Sequence, residues 1–178
     1  MTAYVANTVR RYVAQLTELG HGAPVLEKFD RLAITAISKH GDLPATELLR
    51  LFDYIADKGP ADIALRCGGA RRLAELGVVG HAIASCPTLR AALEIAIAHG
   101  AAGDKSRQVH YQMRGEDWMV DIRAAPALRA GVRRLICEEW IATLFAHLAE
   151  VTQITRPQVR IELNYAPAPG VDYARWLP

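Results

Sequence analysis

The chain has 178 residues, of which 51% are hydrophobic and 22% charged, and this composition excludes extensive disorder and allows one substantial core. Its 21 Lys and Arg residues are interspersed with 19 Asp and Glu residues, and the formal net charge of +2 does not indicate strong binding to a phosphate backbone by this chain alone. No apolar run approaches the ~20 residues that cross a bilayer, and no signal-peptide core follows Met1, so we expect a cytoplasmic protein without membrane contact.

Helical periodicity fills the first half of the chain. Apolar residues at three- and four-residue intervals from Val5 to Leu16 predict an amphipathic first helix, and a less regular helical stretch follows it. Asp42 is placed to cap a third helix, and Pro60 restarts a short fourth one. These helices are expected at residues 5–20, 26–40, 44–58 and 60–67.

A glycine-punctuated turn leads into the next predicted helix. Gly77 and Gly80 allow backbone segments to pack closely, and the hydroxyls of Ser85 and Thr88 are expected to cap a helix at residues 87–99. A dinucleotide fingerprint is disfavoured, because the glycine spacing is too short and the preceding segment is helical. A nucleophilic serine is also disfavoured, since the Gly-x-Ser-x-Gly elbow is absent.

The period of the pattern changes near residue 107. Apolar and polar side chains alternate at 109–113 and 118–122 across a turn at Gly115, which predicts a β-hairpin with one apolar face. A helix at about 128–151 is the natural cover for that sheet, and renewed alternation at 159–163 predicts a further strand. The predicted class is α+β, with N-terminal helices, then the hairpin, the long helix and the further strand forming a small antiparallel sheet covered by helices. The tail offers large side chains for docking, namely Tyr173, Trp176 and Leu177.

The residues that carry chemistry form no catalytic motif. The six histidines show no His-Glu-x-x-His spacing and the three cysteines no Cys-x-x-Cys unit, so we expect no metal, no cofactor and reduced thiols. Glu138 and Glu139 are neighbours in the long helix, so their carboxylates point in different directions and form no facing acid–base pair. We expect no enzyme. A hydrolase or transferase with a site assembled from dispersed histidines and carboxylates stays open as an alternative.

A small set of side chains are candidates for an effector pocket between the sheet and the helices. An amphipathic ring offers apolar area plus a polar group that orients a ligand, and the candidate rings are His81, Tyr111, Trp118 and Trp140. Arg66 is the fifth candidate, because a guanidinium group anchors carboxylate or phosphate. The competing interpretation makes the rings ordinary core residues and Arg66 half of a structural ion pair.

Three segments, in order along the chain, resemble segments of a known family. Residues 62–68 resemble its "d-x-x-l-G-L-r-x-g" segment, with Ala64 in place of the usual glycine. Residues 76–93 resemble its "l-G-x-l-G-x-a" turn and "s-s-p-t-l-r-e-A-l" helix start, and residues 166–178 resemble the segment that closes the domain. From about residue 20 to residue 178, the chain is therefore similar to the N-terminal, so-called arabinose-binding domain of AraC-type transcription regulators.

The resemblance implies a bacterial domain that senses a small-molecule effector and forms a homodimer. In the family, this state is coupled to a C-terminal pair of helix-turn-helix motifs that bind promoter DNA. The sequence stops at Pro178, so we expect residues 1–178 to be a single domain of a longer parent protein, with DNA binding left to the missing half. A stand-alone small-molecule sensor or scaffold is the alternative. The family label does not establish arabinose as the effector, and the long helix is expected to transmit the ligand signal or to form a two-fold contact.

Overall fold

The computed structural model describes residues 2–29, 45–100, 107–115, 117–154 and 159–177. Among these residues, helices precede and follow one β-hairpin, so the predicted α+β class is confirmed. The elements in chain order are α1 (Thr2–Glu18), α2 (Gly22–Lys28), α3 (Ala45–Lys58), α4 (Ile63–Gly69), a 3-10 turn (Leu73–Leu76), α5 (Val78–Ala84), α6 (Leu89–Gly100), β1 (Arg107–Arg114), β2 (Asp117–Ala124), α7 (Ala130–Thr152) and a second 3-10 turn (Tyr173–Arg175).

The long helix α7 lies at the centre of the fold. Its apolar residues are distributed around all of its faces, and it packs against α3, α4, α5 and β2. Gly68 permits the close approach of α4 to α7, because a Cβ at this position would lie 2.2 Å from the carbonyl oxygen of Glu139. Among the described helices, none is long and apolar enough to span a bilayer.

The main core joins α1, α3, α4 and α7. Tyr12 is fully buried and its ring meets that of Phe52 edge-on, with 5.4 Å between the ring centroids. The helices predicted around Val5–Leu16 and after Pro44 are therefore confirmed, and their apolar stripes face each other. The second predicted helix is described only as α2, since residues 30–44, which include the predicted Asp42 cap, lie outside the described residues.

The glycine turn packs closely, as predicted. Gly80 has no space for a side chain, because a Cβ there would lie 1.8 Å from the carbonyl oxygen of Leu73, and Gly77 adopts a φ of 59°. Thr88 caps α6 by accepting a hydrogen bond from the backbone N–H of Ala91 at 3.2 Å. The predicted Ser85 cap is wrong: Ser85 follows the end of α5, where carbonyl groups need partners, and its hydroxyl donates to the carbonyl of His81 at 2.9 Å.

The hairpin forms in the predicted register. Tyr111 pairs with Val120 and Met113 with Trp118, while Gly115 in the turn has a φ of 64°. One face of the hairpin is half-buried and the other is largely exposed, which gives the predicted amphipathic sheet.

The predicted third strand is not formed among the described residues, and their sheet has two strands. The alternation at 159–163 has another cause: Ile161 packs with Leu65 of α4 and Ala142 of α7, so its burial comes from helices and not from the hairpin edge. We call residues 159–177 the C-terminal strap. Its predicted docking is confirmed, because Leu177 is buried in the same cluster and Tyr173 and Trp176 pack against it.

Candidate functional site

The half-buried face of the hairpin, together with one ring of α7, forms the surface that we call the hairpin cleft. Strand alternation places its side chains on one side of the sheet, and every one of them lies between full burial and full exposure. The hairpin contributes Arg107, Val109, Tyr111, Trp118, Val120 and Ile122, and α7 contributes Trp140.

The base of the hairpin is held against α7. The Cys137 sulfur lies 3.8 Å from the carbonyl oxygen of Ile122, and the Arg107 guanidinium carbon lies 4.2 Å from the centroid of the Trp140 ring. Arg107 pairs with Ala124 in the ladder, so both strands meet the helix at this end. Trp118 lies at the other end of β2, near the turn, about 20 Å from Ala124 at about 3.3 Å per residue.

Trp140 supplies the cleft with a hydrogen-bond donor that has no partner among the described residues. Its indole N–H is buried and makes no hydrogen bond to any residue that the structure describes. Leaving such a donor unpaired costs about 1–3 kcal/mol, so an acceptor brought by a ligand would gain from meeting it. Burial raises the pKa of Tyr111, against the opposing charge of Arg107, so its phenol stays protonated at neutral pH.

The other two predicted candidates lie elsewhere. The Nε of Arg66 donates to Asp62 at 2.8 Å, and its guanidinium carbon lies 5.0 Å from the centroid of the Trp176 ring. The hydrogen bond with Asp62 raises the pKa of Arg66. These contacts are those of a structural ion pair, which was the competing interpretation of Arg66. His81 is exposed on α5 beside an open surface depression. Neither residue has a described contact with the hairpin cleft.

A small, partly open cavity lies on another side of α7. It has a volume of about 10 Å³ and is lined by residues of α3, α4 and α7, with Arg134 and Glu138 as its charged side chains. This volume admits about one water molecule, so the cavity is too small for an effector.

A buried ionic network fixes the rotation of α7. Arg71 donates to Glu139 and to the Thr8 hydroxyl, the latter at 2.8 Å, and the Tyr12 hydroxyl donates to Glu139 at 3.0 Å. Burial, and after it the charge of Glu139, holds the pKa of Tyr12 well above its ordinary value. The network ties α1 and the end of α4 to α7 at the residue before Trp140, and so sets the direction in which Trp140 projects.

The neighbouring carboxylate faces another element. Glu138 is 1% exposed and accepts a hydrogen bond from the hydroxyl of Tyr173 in the C-terminal strap. Burial raises the pKa of Glu138, and the hydrogen bond from Tyr173 and the charge of Arg134 oppose that rise. Glu138 and Glu139 therefore point in different directions, as predicted.

A histidine that the sequence analysis did not select lies further along α7. The Nε2 of His147 is buried without a hydrogen-bond partner among the described residues. Burial lowers the pKa of His147 to about 4, and the positive charges of Arg71 and Arg11 act in the same direction against Glu150. The imidazole is therefore neutral at pH 7.

The described residues contain no cluster of three or more His, Cys, Asp or Glu side chains arranged to hold a metal ion. Cys67, Cys86 and Cys137 are free cysteines. Burial raises the pKa of the Cys67 and Cys137 thiols, so both are protonated and unreactive at neutral pH.

Comparison with known proteins identifies the chain. The family model of the N-terminal arabinose-binding domain of AraC transcription regulators matches residues 22–178. The chain is therefore a regulatory domain that binds a small-molecule effector and serves transcription regulation. It belongs to the arabinose-binding domain family of AraC regulators, which confirms the resemblance found in the sequence. No curated protein and no solved structure matches the chain.

Proposed function

We propose that this domain senses its effector in the hairpin cleft and, as a homodimer, controls DNA binding or activation by a C-terminal helix-turn-helix domain of a longer parent protein. It has no catalytic activity of its own. The observation that carries the site assignment is the buried indole N–H of Trp140, which has no hydrogen-bond partner among the described residues and lies at the base of a half-covered aromatic face. Tyr111 and Trp118 supply further ring surface on that face.

The arrangement of α7 supports coupling between the cleft and the C-terminal strap. Cys137 and Trp140 face the hairpin, whereas Glu138 and Ala142 contact the strap through Tyr173 and Leu177. A shift of this one helix would therefore move both surfaces. An effector drives such a shift only if it binds one arrangement more tightly than the other.

The homodimer uses surfaces other than the first half of α7. Most of the apolar surface of that half is covered within the domain, because its buried residues run from Val132 to Thr143. The idea of a two-fold contact through this part of the long helix is therefore set aside, and transmission is the role that we assign to α7. Light scattering on the purified chain measures whether the dimer forms.

A ligand screen tests the proposed function. Sugars, amino acids, aromatic acids and fatty acids are added to the wild type, to Trp140→Phe and to His81→Ala, and Tm is measured. An effector at 100 times its Kd stabilises the wild type by about 2.7 kcal/mol, which corresponds to a rise in Tm of about 5–11 °C for a chain of this size.

The Trp140→Phe protein should lose most of that rise, because phenylalanine cannot donate a hydrogen bond, while His81→Ala should keep it. Equal stabilisation of all three proteins would place the effector outside the hairpin cleft.

Determining the coding sequence beyond Pro178 separates a regulator with a DNA-binding half from a stand-alone sensor. An activity screen on the same samples tests the absence of catalysis.

A further inference from the structure

The small cavity beside α7 has polar groups in its walls. Its volume is about 10 Å³, and its lining contains two charged side chains, Arg134 and Glu138, together with residues at the C-terminal end of α3. A space of this size holds one water molecule when roughly two to four hydrogen-bonding groups face it. The donors and acceptors of the lining therefore decide what the cavity binds.

Arg134 supplies a donor. Its Nε is buried and has no hydrogen-bond partner within the part of the chain that the structure describes. Oε1 of Glu138 lies 3.8 Å from this nitrogen, which is beyond hydrogen-bond distance. A gap of this length between two polar groups is one that a bridging water can close.

Glu138 supplies an acceptor. The residue is 1% exposed, and its described contacts, with the Tyr173 hydroxyl and with Arg134, are made through Oε1. Its Oε2 is therefore available to a group in the cavity. A buried carboxylate oxygen is stabilised by each hydrogen bond that it accepts.

The end of α3 supplies a second acceptor. In a continuous helix, the carbonyl of Ala56 would accept from the N–H of residue 60, but residue 60 is proline and has no N–H. The carbonyl before it, that of Ile55, accepts from the N–H of Gly59 at 2.8 Å. Ala56 thus contributes to the cavity lining a carbonyl group that lacks its helical partner.

A single water molecule matches this set of groups. It would accept one hydrogen bond from Arg134 and donate two, to Glu138 and to the carbonyl of Ala56, which is the usual number for a buried water. A cation matches poorly, because it cannot accept a hydrogen bond from the positively charged Arg134. An anion matches poorly as well, because it has no proton to donate to the two acceptors.

We infer that this cavity binds one ordered water molecule, held by Nε of Arg134, Oε2 of Glu138 and the carbonyl oxygen of Ala56. Because Glu138 also accepts from Tyr173, the water connects the end of α3 to the C-terminal strap through one carboxylate of α7. This water site lies apart from the hairpin cleft and does not depend on the effector.

High-resolution crystal structures of the 178-residue chain and of four variants test this inference. In the wild type we expect a density peak about 2.6–3.2 Å from all three groups. Glu138→Met removes the side-chain acceptor and Arg134→Met removes the donor, so the peak should be lost in both. Tyr173→Phe is the control for Glu138, because Tyr173 contacts the other carboxylate oxygen, and Arg133→Met is the control for Arg134 at the exposed neighbouring position. Both controls should keep the peak.

Oxygen-17 magnetic relaxation dispersion measures the same water in solution. The number of long-lived waters should fall by one in Glu138→Met and in Arg134→Met and stay at the wild-type number in the two controls. Circular dichroism shows whether each variant is folded, and if one variant is unfolded, the wild type and the other variant decide. The inference is overturned if the wild type has no peak, if the peak lies below about 2.5 Å from the oxygens as a metal ion does, or if either folded Met variant of Arg134 or Glu138 keeps the water.

Discussion

The buried ion pair between Arg71 and Glu139 offers a direct test of how the fold holds α7. Arg71 is 2% exposed and Glu139 5% exposed, so Arg71→Met would leave a carboxylate in the interior with the Tyr12 hydroxyl still donating to it. Removing one partner of a buried pair costs about 3–5 kcal/mol, because the remaining charge stays out of water without compensation. At about 2–4 °C per kcal/mol for a chain of this size, we expect Tm to fall by about 6–20 °C.

Urea and thermal unfolding of Arg71→Met, Glu139→Gln and the double variant measure the coupling between the two residues. The double variant should lose less stability than the sum of the single variants, because Glu139→Gln removes the charge that Arg71→Met leaves unpaired. The matched control is Arg72→Met at the exposed neighbouring position, where we expect a change within about 0.5 kcal/mol. A cost below about 1 kcal/mol for Arg71→Met, or full additivity in the double variant, would refute this account of the network.

Three further predictions concern the surroundings of α7. The pKa of His147 in the folded chain is about 4, below the ordinary 6.5, so between these pH values the unfolded chain binds a proton that the folded chain does not. The free energy of unfolding should therefore fall by up to about 3 kcal/mol as pH drops from about 6.5 to about 4. Urea unfolding of His147→Leu should show a smaller decrease, and an identical decrease in both proteins would contradict the assignment. Because the pKa of Glu138 is raised in the folded chain, its contribution to stability is present below about pH 4.5 and is lost as pH rises through the folded pKa. Glu138→Gln should therefore be at least as stable as wild type at pH 7. A clear loss of stability in this variant at pH 7 would show that the fold accommodates the charged form well. Gly68→Ala should lower the free energy of unfolding, measured in denaturant, by about 1–3 kcal/mol, because its Cβ would meet the Glu139 carbonyl. Gly69→Ala is the control, since a Cβ at Gly69 meets nothing within 4 Å. Equal effects of the two substitutions would rule out close packing as the reason.

Local sequence patterns predicted most of the elements. The spacing of apolar residues from Val5 to Leu16 and the alternation at 109–113 and 118–122 report which side of an element faces the protein interior, and both predictions are confirmed. The same logic failed at Ile161, where alternating burial arises from packing on two helices. A period of two shows that one face is covered, but not by which element.

The polar organisation of the core carried no such local signal. Arg71 and Glu139 are paired across 68 positions, and nothing adjacent to either residue distinguishes a buried charge from an exposed one. Arg107 was missed for a different reason: it is in phase with Val109 and Tyr111, and extending the strand pattern by one step would have placed it on the cleft face. Arg66 was selected for its chemistry, although its i,i+4 spacing from Asp62 is a local signal of the ion pair that it forms. Its second contact, with Trp176, depends on the strap, whose position on α4 no local pattern fixes.

The most direct test of the effector site is a ¹⁵N–¹H correlation spectrum of the tryptophan side chains. The chain has three tryptophans, and the indole signal that disappears in Trp140→Phe assigns the buried N–H. On addition of the compound that the ligand screen selects, we predict that the Trp140 indole proton shifts downfield as it gains a hydrogen bond, with a smaller change at Trp118 and almost none at Trp176 in the strap contact. A Trp140 signal that stays in place while the compound binds would contradict the account.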